Sequence, residues 1–188
     1  MIENILTAID DMITCGPVVV GINGLDCSGK TTFASALFAA LQKRSVKSAL
    51  LHIDDYNNHQ LQKTIYQAHE KGEFSEELLD RYYHDSIHYD NVADAITSSR
   101  NSYDVTLIEG VFLFKDNPAR LLDIKIFLPI AADMARTRYT IRKQQLGDSR
   151  DASVFDDIWL PAFQRYCQAE QPEEKSDFLC PMPEDIRI

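Results

Sequence analysis

Residues 17 to 32, PVVVGINGLDCSGKTT, contain the residue types and the spacing that bind a phosphate chain. Gly24 and Gly29 are separated by four residues, and Lys30 and Thr31 follow directly. Glycines let the backbone turn tightly enough for several N–H groups to point into one concavity, where a lysine reaches the terminal phosphates and a hydroxyl ligates Mg²⁺. The pattern predicts a nucleotide-binding loop formed by Gly24, Leu25, Asp26, Cys27, Ser28, Gly29, Lys30, Thr31 and Thr32.

The sequence on either side of this loop decides against the alternative, a glycine-rich turn without a ligand. A β-branched run, Val18 to Ile22, precedes the loop and predicts a strand. The residues after the loop place apolar side chains at helical spacing, namely Phe33, Ala34, Ala36, Leu37, Phe38 and Leu41. A helix that begins at the loop turns its positive N-terminal end toward the phosphates.

Carboxylates stand at the carboxyl ends of two further predicted strands. Asp54 and Asp55 follow the strand Lys47 to Ile53, and Glu109 follows the strand Val105 to Ile108. Ligands of open parallel sheets bind beyond these ends, so the aspartate pair is predicted to be functional and Glu109 to hold Mg²⁺ directly or through water. The alternatives are a solvated turn or helix cap at the aspartates and a solvated strand end at the glutamate.

The segment over residues 80–90, DRYYHDSIHYD, interleaves aromatic, carboxylate and imidazole side chains. One interpretation is an acceptor pocket that includes Tyr83, because aromatic faces stack on flat rings and short carboxylates hold sugar hydroxyls. The alternative is a helix surface with half-buried tyrosines. A metal cluster of its histidines and aspartates is disfavoured because their spacing is irregular.

The densest basic stretch of the chain lies on a helix predicted over 131–144 and continues to Arg150. Its members on that helix are Arg136, Arg138, Arg142 and Lys143. A lid that closes over a transferring phosphoryl group uses such arginines, and a solvated helix face is the alternative. After the fourth predicted strand, the stretch favours a lid over about residues 142–156.

The composition limits the class of protein. The 188 residues carry 29 acidic and 19 basic side chains, a net charge of −10, and no basic cluster dense enough to follow a nucleic-acid backbone. Four cysteines without metal-ligand spacing predict reduced thiols in a cytoplasmic protein. We expect no nucleic-acid or membrane partner, one domain over residues 1–188, and a small-molecule acceptor, with a homo-oligomer left open.

The remaining patterns predict an α/β fold, because strand and helix signals alternate along the chain. Helices are expected over 2–14, 32–44, 59–70, 75–83, 90–99, 131–144 and 154–169. Strands are expected over 17–23, 47–53, 105–108, 123–128 and 176–180.

These motifs, in this order, resemble the uridine kinase branch of the P-loop kinases, the group that also includes phosphoribulokinase and bacterial pantothenate kinase. The resemblance covers nearly the whole chain. Its landmarks are GLDCSGKTT at the loop, IDDY after the second strand, LIEGVFLF at the third, DMARTRYTIR followed by SRD in the lid, and LPAFQRYC followed by SDFLCP near the end. It implies a P-loop kinase-type three-layer sandwich, with a five-stranded parallel sheet, helices on both faces and an arginine-bearing lid.

The resemblance also implies roles for individual residues on the donor side. Asp54 matches the family's base on the acceptor hydroxyl, and Lys30 matches the lysine that holds the terminal phosphates. Glu109 matches the carboxylate associated with the metal. Arg142 and Arg150 resemble the lid arginines that contact phosphates.

On the acceptor side the resemblance is less complete. The family's ribose-holding aspartate falls at about residue 84 or 85, where this chain has His84 followed by Asp85. Tyr56 in the IDDY motif and Arg138 in the lid helix are further acceptor-side candidates.

The activity implied is transfer of the γ-phosphoryl group of ATP, with Mg²⁺, to a primary hydroxyl, in the first place the 5′-OH of uridine or cytidine. The alternatives are a kinase of another small alcohol, pantothenate-like or ribosylnicotinamide-like, and a nucleotide-dependent switch or ATPase without a small acceptor. The sequence contains no base-binding motif that separates ATP from GTP.

Overall fold

The computed structural model describes residues 1–147 and 150–181, in which strands and helices alternate along the chain. The strands are β1 (Val18–Asn23), β2 (Ser48–His52), β3 (Val105–Gly110), β4 (Ile124–Phe127) and β5 (Phe178–Leu179). The helices are α1 (Ile2–Ile13), α2 (Lys30–Lys43), α3 (His59–Glu70), α4 (Glu76–Asp85), α5 (Tyr89–Arg100), α6 (Asp116–Ala119), α7 (Ala132–Leu146) and α8 (Leu160–Glu170). A 3-10 turn, Ile53–Tyr56, follows β2, and a π-helical turn, Phe155–Trp159, precedes α8.

The five strands form one sheet in the order β2-β3-β1-β4-β5, and every pairing is parallel. The predicted five-stranded parallel sheet is therefore confirmed. In the ladder Asn23 of β1 is paired with Gly110 of β3, and His52 of β2 is paired with Glu109 of β3. The carboxyl ends of the three strands thus meet at one edge of the sheet, where ligands bind in folds of this kind.

Helices cover both faces of the sheet, as predicted. On one face, alternate β1 residues pack against apolar residues of α1 and α2, and the β1 members of this cluster are Val18, Val20 and Ile22. On the other face Val19 and Ile108 belong to a second cluster, built from the remaining long helices. Side chains of a strand alternate between the two faces, so one short apolar run supplies both layers of the core.

The close approach of β3 to the turn after β2 fixes the position of the IDDY segment. A Cβ atom at Gly110 would overlap Ile53 Cγ2 and would lie 2.5 Å from Ile53 Cβ. Only glycine, which has no Cβ, allows this approach. The turn therefore lies directly over the end of β3, and Asp54 is held beside the loop that follows β1.

Some predicted boundaries were wrong, each for a physical reason. Helix α2 begins at Lys30 rather than at residue 32, because Gly29 adopts a left-handed conformation (φ 96°) and caps the helix directly. The helix predicted over 154–169 begins instead as a π turn, and Pro161, which lacks an N–H group, lies in the first turn of α8. The short α6 was not predicted.

The predicted lid over residues 142–156 is described only in part, since residues 148 and 149 lie outside the described ranges. All four cysteines are free thiols. Within residues 1–147 and 150–181, no three or more histidine, cysteine, aspartate or glutamate side chains come together as a metal-binding cluster. Every helix in those ranges falls short of the length and hydropathy of a membrane span.

Candidate active site

The predicted phosphate-binding loop joins β1 to α2 and surrounds a cavity of about 270 Å³. Lys30 is 8% exposed, and its Nζ donates to the carbonyl oxygen of Leu25 at 3.0 Å. The Asp26 carboxylate lies 3.9 Å from the same Nζ. The loop residues that line the cavity are Asp26, Cys27, Gly29, Lys30, Thr31 and Thr32. An ammonium group and the N-terminus of α2 therefore face one pocket, which is the arrangement that binds phosphates.

The two residues predicted to hold a metal ion lie in contact with each other. Glu109 is 6% exposed at the end of β3, and its Oε1 accepts a hydrogen bond from Thr31 Oγ1 at 2.9 Å. The same Oε1 lies 2.8 Å from His52 Nδ1. His52 was not predicted as a site residue. The available signal was its position near the end of the predicted strand 47–53, since Glu109 also stands at the end of a predicted parallel strand.

Asp54 lines the same cavity as Lys30 and Glu109. The cavity leaves its carboxylate accessible to solvent, but the surrounding protein raises the pKa of Asp54 above its ordinary value, first by burial and then through the negative charge of Asp26. The positive charge of Lys30 opposes this shift. A raised pKa brings a carboxylate closer to the range in which a general base works near neutral pH.

The other members of the IDDY turn lie away from this cavity. Asp55 is exposed. Tyr56 is half-buried, and its carbonyl oxygen accepts a hydrogen bond from the backbone N–H of His88 at 2.9 Å. The geometry therefore distinguishes Asp54 from Asp55, a choice that the residue pattern alone did not make.

A second cavity, of about 150 Å³, adjoins the phosphate-binding cavity. Asp26, Asp54 and Arg142 line both cavities. A carboxylate of raised pKa and a guanidinium therefore stand at the boundary between a phosphate-binding space and a separate space. This is the arrangement that a transfer reaction between two bound molecules requires.

The walls of the second cavity combine aromatic and amide side chains. They include Asn57, Gln62, Tyr66, Tyr82, Ser86 and Trp159. The indole N–H of Trp159 donates to the Tyr66 hydroxyl oxygen at 3.1 Å. Tyr82 and Ser86 belong to the segment 80–90 that was predicted as an acceptor pocket, although neither was selected as a site residue. The other four were not predicted here, and the single tryptophan of the chain was interpreted as packing.

The structure separates three predicted acceptor-side residues from Asp54. His84 and Asp85 line a different, open cavity, and Tyr83 packs in the core at 6% exposure. Successive residues of an α-helix point about 100° apart. Helix α4 therefore turns Tyr82 toward the cavity beside Asp54 and turns Tyr83 away from it.

Helix α7, on which the lid was predicted to begin, contributes arginines at two different places. Arg142 lines both the phosphate-binding cavity and its neighbour. Arg138, predicted near the acceptor, is 5% exposed and donates to the carbonyl oxygen of Cys27 at 3.3 Å. Arg138 therefore contacts the phosphate-binding loop from the lid side and is not at the acceptor cavity.

Arg150 lies against the aromatic wall of the second cavity. Its guanidinium carbon is 4.9 Å from the ring centre of Trp159 and 5.6 Å from that of Tyr66. A guanidinium over an aromatic face is attracted by the ring quadrupole. The lid segment is thus in contact with the same two side chains that form the cavity wall.

The polar and charged groups around the phosphate-binding cavity fit a nucleoside triphosphate with Mg²⁺. Thr31 and Glu109 present the oxygen ligands that Mg²⁺ prefers, and Lys30 presents a positive charge to phosphates. Ser28 Oγ is buried and has no hydrogen-bond partner within the described part of the chain. An unsatisfied hydroxyl in the loop is available to a ligand oxygen.

Comparison with known proteins gives consistent names. A uridine kinase of Leuconostoc citreum is 30% identical over 155 residues, which cover 73% of this chain and 72% of that protein. A uridine kinase of Lactiplantibacillus plantarum is 27% identical over 184 residues, covering 88% of this chain and 87% of the other. No protein-family model matches the chain.

Solved structures share the fold. A Bacillus stearothermophilus structure described as that of a possible uridine kinase superposes with a TM-score of 0.62 at 19% identity, covering 94% of this chain and 98% of the other. At this level of identity the likeness concerns the arrangement of strands and helices.

Proposed function

Because the chain belongs to the uridine kinase family and is therefore an ATP-dependent kinase of a small molecule, we propose that it transfers the γ-phosphoryl group of ATP to the 5′-hydroxyl of uridine or cytidine. The observation that carries the proposal is the position of Asp54, which lines both the phosphate-binding cavity and the aromatic cavity next to it. The hydroxyl group of an acceptor bound in the aromatic cavity would lie next to the Asp54 carboxylate, which can act as the general base, and would face the phosphates in the adjoining cavity.

The residues around the two cavities have separate chemical tasks in the proposal. Asp54 accepts the proton of the acceptor hydroxyl while the oxygen attacks the γ-phosphorus and the bond to the leaving ADP breaks. Lys30 and the loop amides hold the phosphates, and Arg142 and Arg150 balance the charge of the moving group. Thr31 and Glu109 hold Mg²⁺, which when bound neutralises charge on the phosphate oxygens.

The aromatic cavity supports a flat acceptor. Tyr66, Tyr82 and Trp159 present rings, and Asn57 and Gln62 present amide groups that can both donate and accept hydrogen bonds. Pyrimidine bases combine a stacking face with donors and acceptors along one edge. Such a base would be held by stacking and amide contacts, with its sugar directed toward Asp54.

The test is an acceptor screen that measures ADP release with Mg-ATP. We expect uridine or cytidine to raise the rate of ADP formation far above the rate without acceptor, and 5′-deoxyuridine to give no increase because it lacks the reacting oxygen. Equal ADP formation with and without every acceptor would contradict the kinase proposal in favour of an ATPase or switch.

A second candidate is a kinase of another small alcohol. It is favoured by one observation, because His84 and Asp85, the positions where the family's ribose-holding aspartate is expected, lie outside the cavity beside Asp54. Pantothenate and ribosylnicotinamide belong in the same screen. If one of them gave a higher kcat/KM than uridine and cytidine, it would be the preferred acceptor, and the assignment to pyrimidine nucleosides would be wrong.

A further inference from the structure

His52 is the last residue of β2, and its imidazole reaches the carboxylate at the end of β3. The parallel ladder pairs His52 with Glu109, and His52 Nδ1 lies 2.8 Å from Glu109 Oε1. The side chain of His52 is 39% exposed, whereas that of Glu109 is 8% exposed. The register of the sheet therefore places an imidazole at the solvent side of a buried carboxylate.

In this contact the imidazole is the donor. An ionised carboxylate carries no proton, so the hydrogen of the bond belongs to Nδ1. Nδ1 carries a hydrogen both in one neutral tautomer and in the charged ring, and the contact therefore does not depend on the charge of His52. Hydrogen bonds to an ionised acceptor are stronger than those between neutral groups.

The same carboxylate oxygen, Glu109 Oε1, also accepts a hydrogen bond from Thr31 Oγ1 at 2.9 Å. Thr31 is itself a metal ligand in the proposed function: its hydroxyl oxygen can bind the ion through a lone pair while its O–H donates to Glu109, so the position of this donor depends on the ion. His52 is not a ligand in the proposed function, and its backbone is fixed in the ladder with β3. It is the neighbour that can orient Glu109 both before and after the ion binds.

We infer that His52 is a positioning residue of the metal site, whose Nδ1–H fixes the orientation of the Glu109 carboxylate and thereby raises the affinity for Mg²⁺ in the nucleotide complex. This inference rests on the metal role that the proposed function gives to Glu109. Groups that hydrogen-bond a metal ligand from behind are typically worth about 10- to 100-fold in metal affinity.

The test compares His52→Leu with His52→Asn in the full chain. Leucine removes the donor but keeps a side chain of similar bulk. Asparagine carries an N–H₂ group on Cγ, the atom to which Nδ1 of histidine is attached, and so restores a donor at that position. His59→Leu, at an exposed position on α3, is the matched control.

Two readouts without acceptor or turnover measure the effect. The first is the Mg²⁺ concentration at which a nonhydrolysable ATP analogue raises the melting temperature by half its maximum. The second is binding of Mn²⁺ by electron paramagnetic resonance in the presence of the same analogue. We expect His52→Leu to require about 10- to 100-fold more metal, and His52→Asn and His59→Leu to stay within about threefold of the wild type.

Two results would overturn the inference. One is a wild-type metal requirement in His52→Leu, and the other is a metal requirement in His52→Asn as high as that in His52→Leu. A role in folding alone would lower the melting temperature without nucleotide in His52→Leu and leave the metal requirement unchanged, which is the first of these results.

Glu109→Gln separates this inference from the proposed function. If Glu109→Gln raises the metal requirement and His52→Leu does not, the inference alone fails. If neither variant changes it, the proposed metal role of Glu109 fails and the inference fails with it. The identity of the acceptor has no influence on either result, because no acceptor is present.

Discussion

Asp54 concentrates the proposed chemistry in a single residue, because it lines both cavities and burial raises its pKa. A positioned general base contributes about 10²- to 10⁴-fold to a rate, so we expect Asp54→Asn to lower kcat by at least about 100-fold. Binding of a nonhydrolysable ATP analogue should persist. Asp55→Asn, one residue along at a position that lines neither cavity, should keep its activity in the same assay.

The raised pKa of Asp54 also sets the direction of the pH dependence. Activity should fall as the pH drops through the raised pKa, because only the ionised carboxylate accepts a proton.

The raised pKa also affects the stability of the fold. The folded protein holds the Asp54 proton more tightly than the unfolded chain does, so the associated stability is present below the ordinary pKa of 3.8 and is lost as the pH rises through the raised value. At neutral pH the ionised side chain therefore lowers stability, and Asp54→Asn should melt above the wild type. A lower melting temperature would contradict this account.

The acceptor-side residues can be tested against each other. Gln62 lines the cavity beside Asp54, whereas Asp85 lines a separate cavity. A hydrogen bond contributes about 0.5 to 1.5 kcal/mol net, so we expect Gln62→Ala to raise the KM of the acceptor about 2- to 10-fold and to leave the KM of ATP unchanged. Asp85→Ala should change neither constant. The opposite ranking in steady-state kinetics would restore Asp85 to the acceptor site.

The positions of the residues around the phosphate-binding cavity could be predicted from the sequence, whereas those of the residues around the acceptor-side cavity could not. Gly24 to Thr31 form a continuous motif whose backbone geometry is local, and Glu109 ends a strand that its own apolar run defines. The choice between Tyr82 and Tyr83 depends instead on the rotational position of α4 against the sheet. That position is set by packing between distant segments, which a single sequence does not state.

Helix α7 is the element that brings positive charge to the boundary of the two cavities, through Arg142. An arginine that closes on a phosphoryl group is worth about 10³-fold or more, and Arg150 lines the acceptor-side cavity as well, so we expect Arg142→Ala to lower kcat by at least about tenfold without losing all activity. Arg136→Ala is the control on the same helix, because Arg136 pairs with Asp133 and Asp156. Equal rates in both variants would argue against a role for Arg142 in transfer.

The contact between β3 and the turn after β2 makes a second prediction for an element. A methyl group at Gly110 would overlap the Ile53 side chain, and overpacking of this kind costs about 1 to 3 kcal/mol. For a chain of this size each kcal/mol lowers the melting temperature by about 2 to 4 °C. Gly110→Ala should therefore melt about 2 to 12 °C lower than the wild type in a thermal scan. An unchanged melting temperature would show that the turn can move freely.

The π turn before α8 shows why one part of the candidate site was not predictable. The apolar pattern over 154–169 is that of an ordinary helix, and it gives no sign that Phe155–Trp159 winds differently. A π turn changes the direction in which the following side chains point, and such turns are frequent at functional sites. Trp159, the last residue of this turn, donates to Tyr66 on α3.

At the scale of the whole molecule, the fold was predictable because its signals are redundant. Each strand is a short apolar run followed by a turn or a polar residue, and helices such as α1 and α2 carry apolar residues at helical spacing, so several independent segments indicate the same α/β order. The boundary between the two cavities was not predictable, since the surrounding walls come from the phosphate-binding loop, the turn after β2, α3, α4, α7 and the segment before α8.

The shared walls predict that the two substrates influence each other's binding. Asp26, Asp54 and Arg142 face both spaces, so an acceptor that excludes water there strengthens the electrostatic contacts of the phosphates. We expect uridine to tighten binding of the Mg²⁺ complex of a nonhydrolysable ATP analogue by about fivefold or more, and the analogue to tighten uridine binding by the same factor. Isothermal titration in both orders measures this. Identical affinities with and without the second ligand would contradict it.

Trp159 is the only indole of the chain, and it contacts both Tyr66 and Arg150 in the wall of the acceptor-side cavity. Its fluorescence therefore arises from one place, and a nearby guanidinium or a stacked ring alters both its intensity and its wavelength. Stopped-flow recordings on the unlabelled protein can therefore test whether the predicted lid closes on the ligands, separately from the appearance of ADP.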